Sequence, residues 1–302
     1  MTILLFGANG QLGRELLNVL EQEPVIAATR SGRLADGQRC ACADFNQPDQ
    51  VIALLEQVQP SLIVNAAAYT QVDQAESERD AVYRANAHTP AVMAQWCAHQ
   101  DIPWLHFSTD YVFNGQASAP YPSDATVDPL GIYGQSKRAG EEAILQAGGR
   151  TIILRTAWVY AVHGHNFFRT MLRLAQSHHR LRVVADQIGT PTPARLLAQT
   201  TAKLIQHGDF SPGIWHLTAR GQTSWYGFAT AIFASANTRG VISRLPEVEA
   251  ILSQAYPTAA RRPAYSVLDT QSLEKRWNIT LPMWADGLAD VFDQWAAQRC
   301  TI

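Results

Sequence analysis

Lysine is nearly missing from this chain. Of its 24 basic residues only Lys137, Lys203 and Lys275 are lysines, so a motif that requires one is seldom met by accident. A surplus of positive charge is also missing: 24 Lys and Arg stand against 26 Asp and Glu, a formal net charge of −2. That balance excludes the basic surface a nucleic-acid partner needs. No apolar run approaches the roughly 18–20 residues of a membrane span, so no membrane partner is expected. Cysteine is scarce and scattered: Cys40, Cys42, Cys97 and Cys300 form no C-x-x-C pair. They read as free thiols in a reducing compartment, without a disulfide framework or zinc site. The segment Met1–Phe6 carries no basic leader, so a signal peptide is not expected and the expected location is the cytoplasm. Internal repeats and low-complexity segments are absent too.

What is present suits a large globular chain. Its 302 residues are 47% hydrophobic and 17% charged, which excludes wholesale disorder and allows about two domains. Short β-branched apolar runs at Thr2–Phe6, Val25–Thr29, Leu62–Asn65, Trp104–Ser108 and Thr151–Thr156 read as buried strands. Between them, Gln11–Gln22, Asp49–Val58, Ser77–Gln100 and Ile132–Ala147 read as helices. Strictly alternating strands and helices predict a doubly wound parallel sheet, an α/β fold of the Rossmann type. After about residue 157 the rhythm changes to mixed helices and short strands broken by prolines. The expected division is therefore a dinucleotide-binding unit over 1–160 and a smaller mixed α/β substrate-binding domain over 161–302, with later segments free to return to the first.

Three features carry chemistry. Gly7-Ala8-Asn9-Gly10-Gln11-Leu12-Gly13 follows the first strand and opens the first helix. Gly7 permits the tight turn, Gly10 lets backbone approach a pyrophosphate, and Gly13 lets helix and strand pack closely. Tyr133-Gly134-Gln135-Ser136-Lys137 places a phenol and an ammonium four residues apart on one helical face. Taken alone, that pair fits equally a solvated lysine beside a half-buried tyrosine. Taken with the glycine loop, it is an acid poised for a carbonyl oxygen. Ser108-Thr109-Asp110 ends the fifth strand at the edge where open α/β sheets bind ligands.

Together these features resemble the extended short-chain dehydrogenase/reductases. Longer strings narrow the likeness: Asn65–Glu76, Ser108–Phe113, Pro129–Gly134, Arg155–Tyr160, Asn166-Phe167, Asp186–Thr192 and Arg262-Pro263 are similar to those of the dTDP-4-dehydrorhamnose reductase family, from residue 1 to the last helix. The resemblance implies reduction of the C4 ketone of a dTDP-4-dehydro sugar. Tyr133 would donate the proton, Lys137 would hold the nicotinamide ribose, and Thr109 would orient the substrate oxygen. Gly10, Gln11 and Leu12 would cradle the cofactor's pyrophosphate, with Gly7 and Gly13 completing the cofactor-binding loop. Asp44 and Phe45 would flank its adenine, and Ala66, Ala67 and Ala68 would line its middle. Asp110, Trp158, Asn166 and Arg262 would contact the dTDP-sugar. At the end of the second strand stands Arg30 rather than the carboxylate that favours NADH, so NADPH is the expected cofactor, with NADH possible.

Some residues are expected to have only structural roles. His163, His165, His178 and His179 read as loop histidines, and no metal is expected. Some relatives join as dimers through magnesium held by acidic side chains. Here Glu15 is present, but beyond Pro191-Thr192 the position matching the second acidic residue is Arg195, so monomer and metal-free homodimer stay open. Trp215, Trp225, Trp277, Trp284 and Trp295 read as core of the second domain, and Glu141-Glu142 as a solvated helix face. Two alternatives remain at this point: another nucleotide-sugar epimerase or reductase of the superfamily, and a non-catalytic regulatory subunit of the methionine adenosyltransferase type.

Overall fold

The computed structural model describes residues 1–298; Cys300 lies outside them. Six parallel strands come first: Ile3–Phe6 (β1), Val25–Thr29 (β2), Ala41–Cys42 (β3), Leu62–Asn65 (β4), Trp104–Thr109 (β5) and Thr151–Thr156 (β6). Helices Gln11–Val19 (α1), Pro48–Val58 (α2), Val72–Ala75 (α3), Arg79–Tyr83 (α4), Thr89–Gln100 (α5) and Ile132–Ala147 (α6) connect them. The later chain adds Val159–Tyr160 (β7), Phe167–Ser177 (α7), Arg180–Val184 (β8), Ile188–Gly189 (β9), Thr192–Pro193 (β10) and Ala194–His207 (α8). Gly213–His216 (β11), Thr223–Ser224 (β12), Trp225–Thr238 (α9), Glu247–Ile251 (β13), Gln271–Trp277 (α10) and Trp284–Ala297 (α11) complete it.

The main sheet has seven strands in the order β11-β6-β5-β4-β1-β2-β3, parallel throughout. Both faces are covered, which is why its strands are apolar at successive positions rather than alternately. In β1, Ile3 and Leu5 enter one core with α1, α8 and α10. Leu4 and Phe6 enter the other, with α2, α5 and α6. The strand order reverses between β1 and β4, and the carboxyl ends there form the crevice where such sheets bind ligands.

Most residues beyond 160 feed two cores, while Leu268 joins Val112, Phe113 and Tyr121 in a smaller cluster. Helices α8 and α10 and strand β11 join the main sheet, whereas α7, α9 and α11 build a separate core around Phe168, Phe228, Ile232 and Phe292. Two tryptophans are corrected by this division. Trp215 and Trp277 pack edge-on at 4.7 Å within the first core; only Trp225, Trp284 and Trp295 serve the second.

The helix expected over Ser77–Gln100 is interrupted by a π-helical turn at Arg84–His88. Pro90 has no N–H to give the carbonyl of residue 86, so the α-helical ladder fails there. The turn presses Asn86 against α6, where a Cβ on Gly140 would lie 2.2 Å from the Asn86 carbonyl oxygen.

Candidate active site

The glycine loop is built for close backbone approach. Gly7 has φ +79°, and a Cβ there would lie 2.6 Å from Ala66 C and Ala67 N; on Gly13 it would lie 2.1 Å from the Gly7 oxygen. Gly10 caps α1 without any side-chain bond to the first turn, leaving backbone N–H groups for an anion. Gln11 and Leu12 follow half-buried; Ala66 and Ala67 lie against Gly7 from the end of β4, and Ala68 is exposed. Asn9 Nδ2 donates to the Arg33 carbonyl at 2.8 Å, fastening the loop to the turn after β2, where Arg30 is exposed. Asp44 accepts the Asn46 N–H at 2.9 Å. Phe45 packs edge-on against Phe6 at 5.5 Å and is 8% exposed. Its ring therefore belongs to the core, and its carbonyl accepts the Thr89 hydroxyl at 2.6 Å.

At the end of β5, Thr109 accepts the Tyr111 N–H at 3.2 Å and donates to Asp110 Oδ1 at 3.1 Å. A short 3₁₀ turn, Asp110–Val112, follows. Gly134 lets the first turn of α6 settle on it, since a Cβ would lie 2.2 Å from the Tyr111 oxygen. Tyr133 is thereby set edge-on to Tyr111 at 5.6 Å, next to Thr109. Burial pushes the Tyr133 phenol up to about 12, with Thr109 pulling the other way and Asp110 adding to the rise. Burial also pushes the Asp110 carboxyl up to about 6, with Ser266 and Thr109 nearby pulling the other way.

Lys137 is 2% exposed. Its Nζ donates to the Phe107 carbonyl at 2.7 Å and lies 3.3 Å from His106 Nε2. Burial pulls its ammonium down to about 8, while the Glu141 carboxylate favours the charged form. Glu141 corrects the sequence reading. It is 2% exposed and takes Arg155 Nη2 at 2.7 Å and Nε at 2.9 Å, whereas Glu142 pairs with Arg138 at the surface. The signal was its spacing, four residues beyond Lys137 and so on the same face.

Across the crevice, Trp158 adopts φ +47° and stacks on Trp225 with ring centroids 3.5 Å apart. A Cβ on Gly189 would come within 2.5 Å of the Trp158 indole. Trp225 was not anticipated here, nor was Asp73, which binds Arg262 through Nη2 at 2.7 Å and Nη1 at 3.2 Å. Asn166 departs from expectation. Its Oδ1 caps α7 by accepting the Arg169 N–H, and its Nδ2 donates to Gln11, Ala161 and His163. Both polar atoms of its side chain are thus engaged within the chain, and through Gln11 it ties the start of α7 to α1. His163 is likewise no free loop residue: it meets Glu15 at 2.9 Å, and Gln294 donates to the same carboxylate at 3.0 Å. Burial raises the Glu15 carboxyl, but these partners and Arg195 more than offset it, leaving it below its usual value. No group of three or more potential metal ligands occurs among the described residues, and none of their helices is long and apolar enough to cross a membrane.

With this geometry in place, comparison with known proteins becomes decisive. The family profile described as the RmlD substrate binding domain matches residues 1–297. The chain belongs to that family. Among similar relatives in it, the dTDP-4-dehydrorhamnose reductase of Burkholderia thailandensis is 41% identical, with 94% of this chain and 95% of that one aligned. The enzyme of the same name from Escherichia coli is 39% identical over 97% of this chain and 98% of its own. A crystal structure of dTDP-4-dehydrorhamnose reductase from Bacillus anthracis in complex with NADP superimposes with TM-score 0.88 at 33% identity. It covers 97% of this chain and 99% of that one. The family's seven-stranded Rossmann-type sheet is thus the fold seen here.

Proposed function

We propose that this chain is an NADPH-dependent oxidoreductase that reduces the C4 ketone of dTDP-4-dehydro-L-rhamnose to dTDP-L-rhamnose. The observation that carries the reading is Thr109 and Tyr133 lying side by side at the carboxyl end of β5, with Lys137 one turn further along α6. Names of relatives at 39–41% identity support the substrate, and the NADP complex of a structural relative supports the cofactor.

The cradle fits a dinucleotide. Gly7 and Gly13 leave no room for a Cβ, so the loop packs tightly on the end of β4 and on itself, and the uncapped start of α1 leaves donors for a diphosphate. Arg30, exposed beyond β2, would meet the 2′-phosphate that distinguishes NADPH. When bound, the cofactor supplies a hydride to the ketone carbon. Negative charge then gathers on the ketone oxygen, and the Tyr133 O–H donates its proton there while the Thr109 hydroxyl holds that oxygen in line. The proton becomes the hydrogen of the new C4 hydroxyl. The tyrosinate left behind is stabilised by Lys137, one helical turn away. Trp158 and Trp225 would form an apolar wall for the sugar, and Arg262 would reach the nucleotide side with its charge partly balanced by Asp73.

The presence of Thr109, Tyr133 and Lys137 together favours this reading over a regulatory subunit. A deuterium transfer experiment tests it against an epimerase. With NADPH deuterated at the transferring carbon, a reductase places one deuterium at C4 of the product sugar and consumes one NADPH. Solvent exchange at a neighbouring carbon without NADPH consumption would contradict it.

A further inference from the structure

Lys137 is held from behind by two buried residues that the mechanism above does not use. His106, in the middle of β5, is fully buried, and its Nε2 lies 3.3 Å from Lys137 Nζ. On the other side of the ring, Nδ1 is 3.0 Å from Asn65 Nδ2 at the end of β4. Asn65 is itself 1% exposed, so the chain of contacts ends inside the protein.

The direction of each bond follows from one backbone group. Asn65 Oδ1 accepts the N–H of Ala67 at 3.0 Å. A backbone N–H can only donate, so the oxygen of the Asn65 amide must face Ala67 and its NH₂ must face the imidazole. Nδ1 of His106 therefore accepts, and the single proton of a neutral ring resides on Nε2. Burial, with the neighbouring Lys137 charge adding to it, keeps this ring neutral well below its ordinary range. Nε2–H thus points at Lys137 Nζ. A neutral amine matches that arrangement: its lone pair accepts from Nε2–H while one of its own hydrogens goes to the Phe107 carbonyl. An ammonium has no lone pair and meets Nε2–H donor to donor.

We propose that His106, locked in its Nε2–H tautomer by Asn65, is a positioning residue that weakens Lys137's hold on its third proton and offers the ammonium no acceptor on the imidazole side. The inference rests on the reductase reading for its purpose: with one N–H on the Phe107 carbonyl and none accepted by the imidazole, the ammonium keeps its other two for the ribose and the tyrosinate. Its geometry stands without that reading. The other groups around Lys137 act differently. Glu141 on the same helix favours the charged form but shares its carboxylate with Arg155 of β6. The 3₁₀ turn after β5 presents Asp110 to Tyr133. The π-helical turn packed across α6 sends Asn86 to Ser136 and leaves Arg84 and His88 exposed.

Nitrogen NMR of the unmodified, cofactor-free chain reads the tautomer directly, with His106→Phe assigning the signal. A protonated Nε2 and a bare Nδ1 are expected; a protonated Nδ1 or an imidazolium at neutral pH overturns the proposal. Carbon NMR of the lysine side chains then reads the titration, because three lysines give three signals and Lys137→Met identifies one. His106→Phe should move the Lys137 midpoint upward by about one pH unit. Asn65→Asp, whose carboxylate would draw the proton to Nδ1 and convert Nε2 to an acceptor, should do the same. Its effect should shrink markedly when His106→Phe is also present. An unmoved midpoint in Asn65→Asp, or an equal shift without the imidazole, overturns the proposal. None of these readouts depends on turnover, so failure of the reductase assay and failure of this inference are separable.

Discussion

Replacing Lys137 by methionine should stabilise the protein while disabling it. The side chain is 2% exposed, and burial pulls its ammonium from 10.5 to about 8. At about 1.4 kcal/mol per pH unit, holding that charge in the folded state at pH 7 costs about 3 kcal/mol. Methionine fills nearly the same space and carries no charge. It forfeits the Nζ bond to the Phe107 carbonyl, which is worth about 1 kcal/mol. The balance is a gain of about 2 kcal/mol, or roughly 4 °C in Tm for a chain this long. The sign depends on pH. A lysine whose folded pKa is depressed destabilises fully below that value, and the penalty fades as pH rises toward the unfolded pKa. The advantage of Lys137→Met should therefore be full below pH 8 and absent near pH 10.5. Calorimetry of both proteins without cofactor at pH 7 and near pH 10.5 measures it, alongside kcat, which should fall by at least about 10²-fold. A variant less stable than the parent at pH 7, or an advantage that persists near pH 10.5, would refute the reasoning.

Asp110 gives the complementary signature. Its carboxyl is raised from 3.8 to about 6, so its ionisation destabilises the fold above that range, and the Tm advantage of Asp110→Asn should open as pH rises from about 4 to about 6. Glu141→Ala leaves Arg155 buried without its partner and should cost about 3–5 kcal/mol in urea unfolding; a loss under about 1 kcal/mol would show the pair is not needed. Arg30→Asp should erase a preference for NADPH over NADH worth about 1–3 kcal/mol while sparing maximal turnover. Equal kcat/KM for the two cofactors in the parent would reject the role given to Arg30. Glu15 is occupied by His163 and Gln294, so turnover is expected without added magnesium, and a dimer that dissociates on chelation would count against this.

The main sheet was legible because its signals are local. Apolar runs such as Ile3–Phe6 and Thr151–Thr156 must be strands covered on both faces, and Gly7 and Gly13 announce the turn and the close packing that follow. The Tyr133–Lys137 spacing was legible for the same reason, since four residues make one helical face. Long-range partners were not. Asp73 and Arg262 are 189 residues apart in sequence, and Gln294 and Glu15 are 279 apart; no periodicity joins them. Trp215 and Trp277 belong to the first core only because β11 and α10 return to the main sheet. His106 gave no signal at all, because every position of β5 is buried and an inward histidine there looks like its neighbours.

Single-turnover reduction by Tyr133→Phe tests the central claim most directly. The variant is mixed with NADPH and dTDP-4-dehydro-L-rhamnose, with cofactor affinity measured separately by fluorescence. The mechanism requires near-parental NADPH binding and a reduction rate lower by roughly 10²–10⁴-fold, because the proton donor alone is gone. A near-parental rate, or absence of NADPH oxidation by the unmodified protein with this substrate, would contradict it.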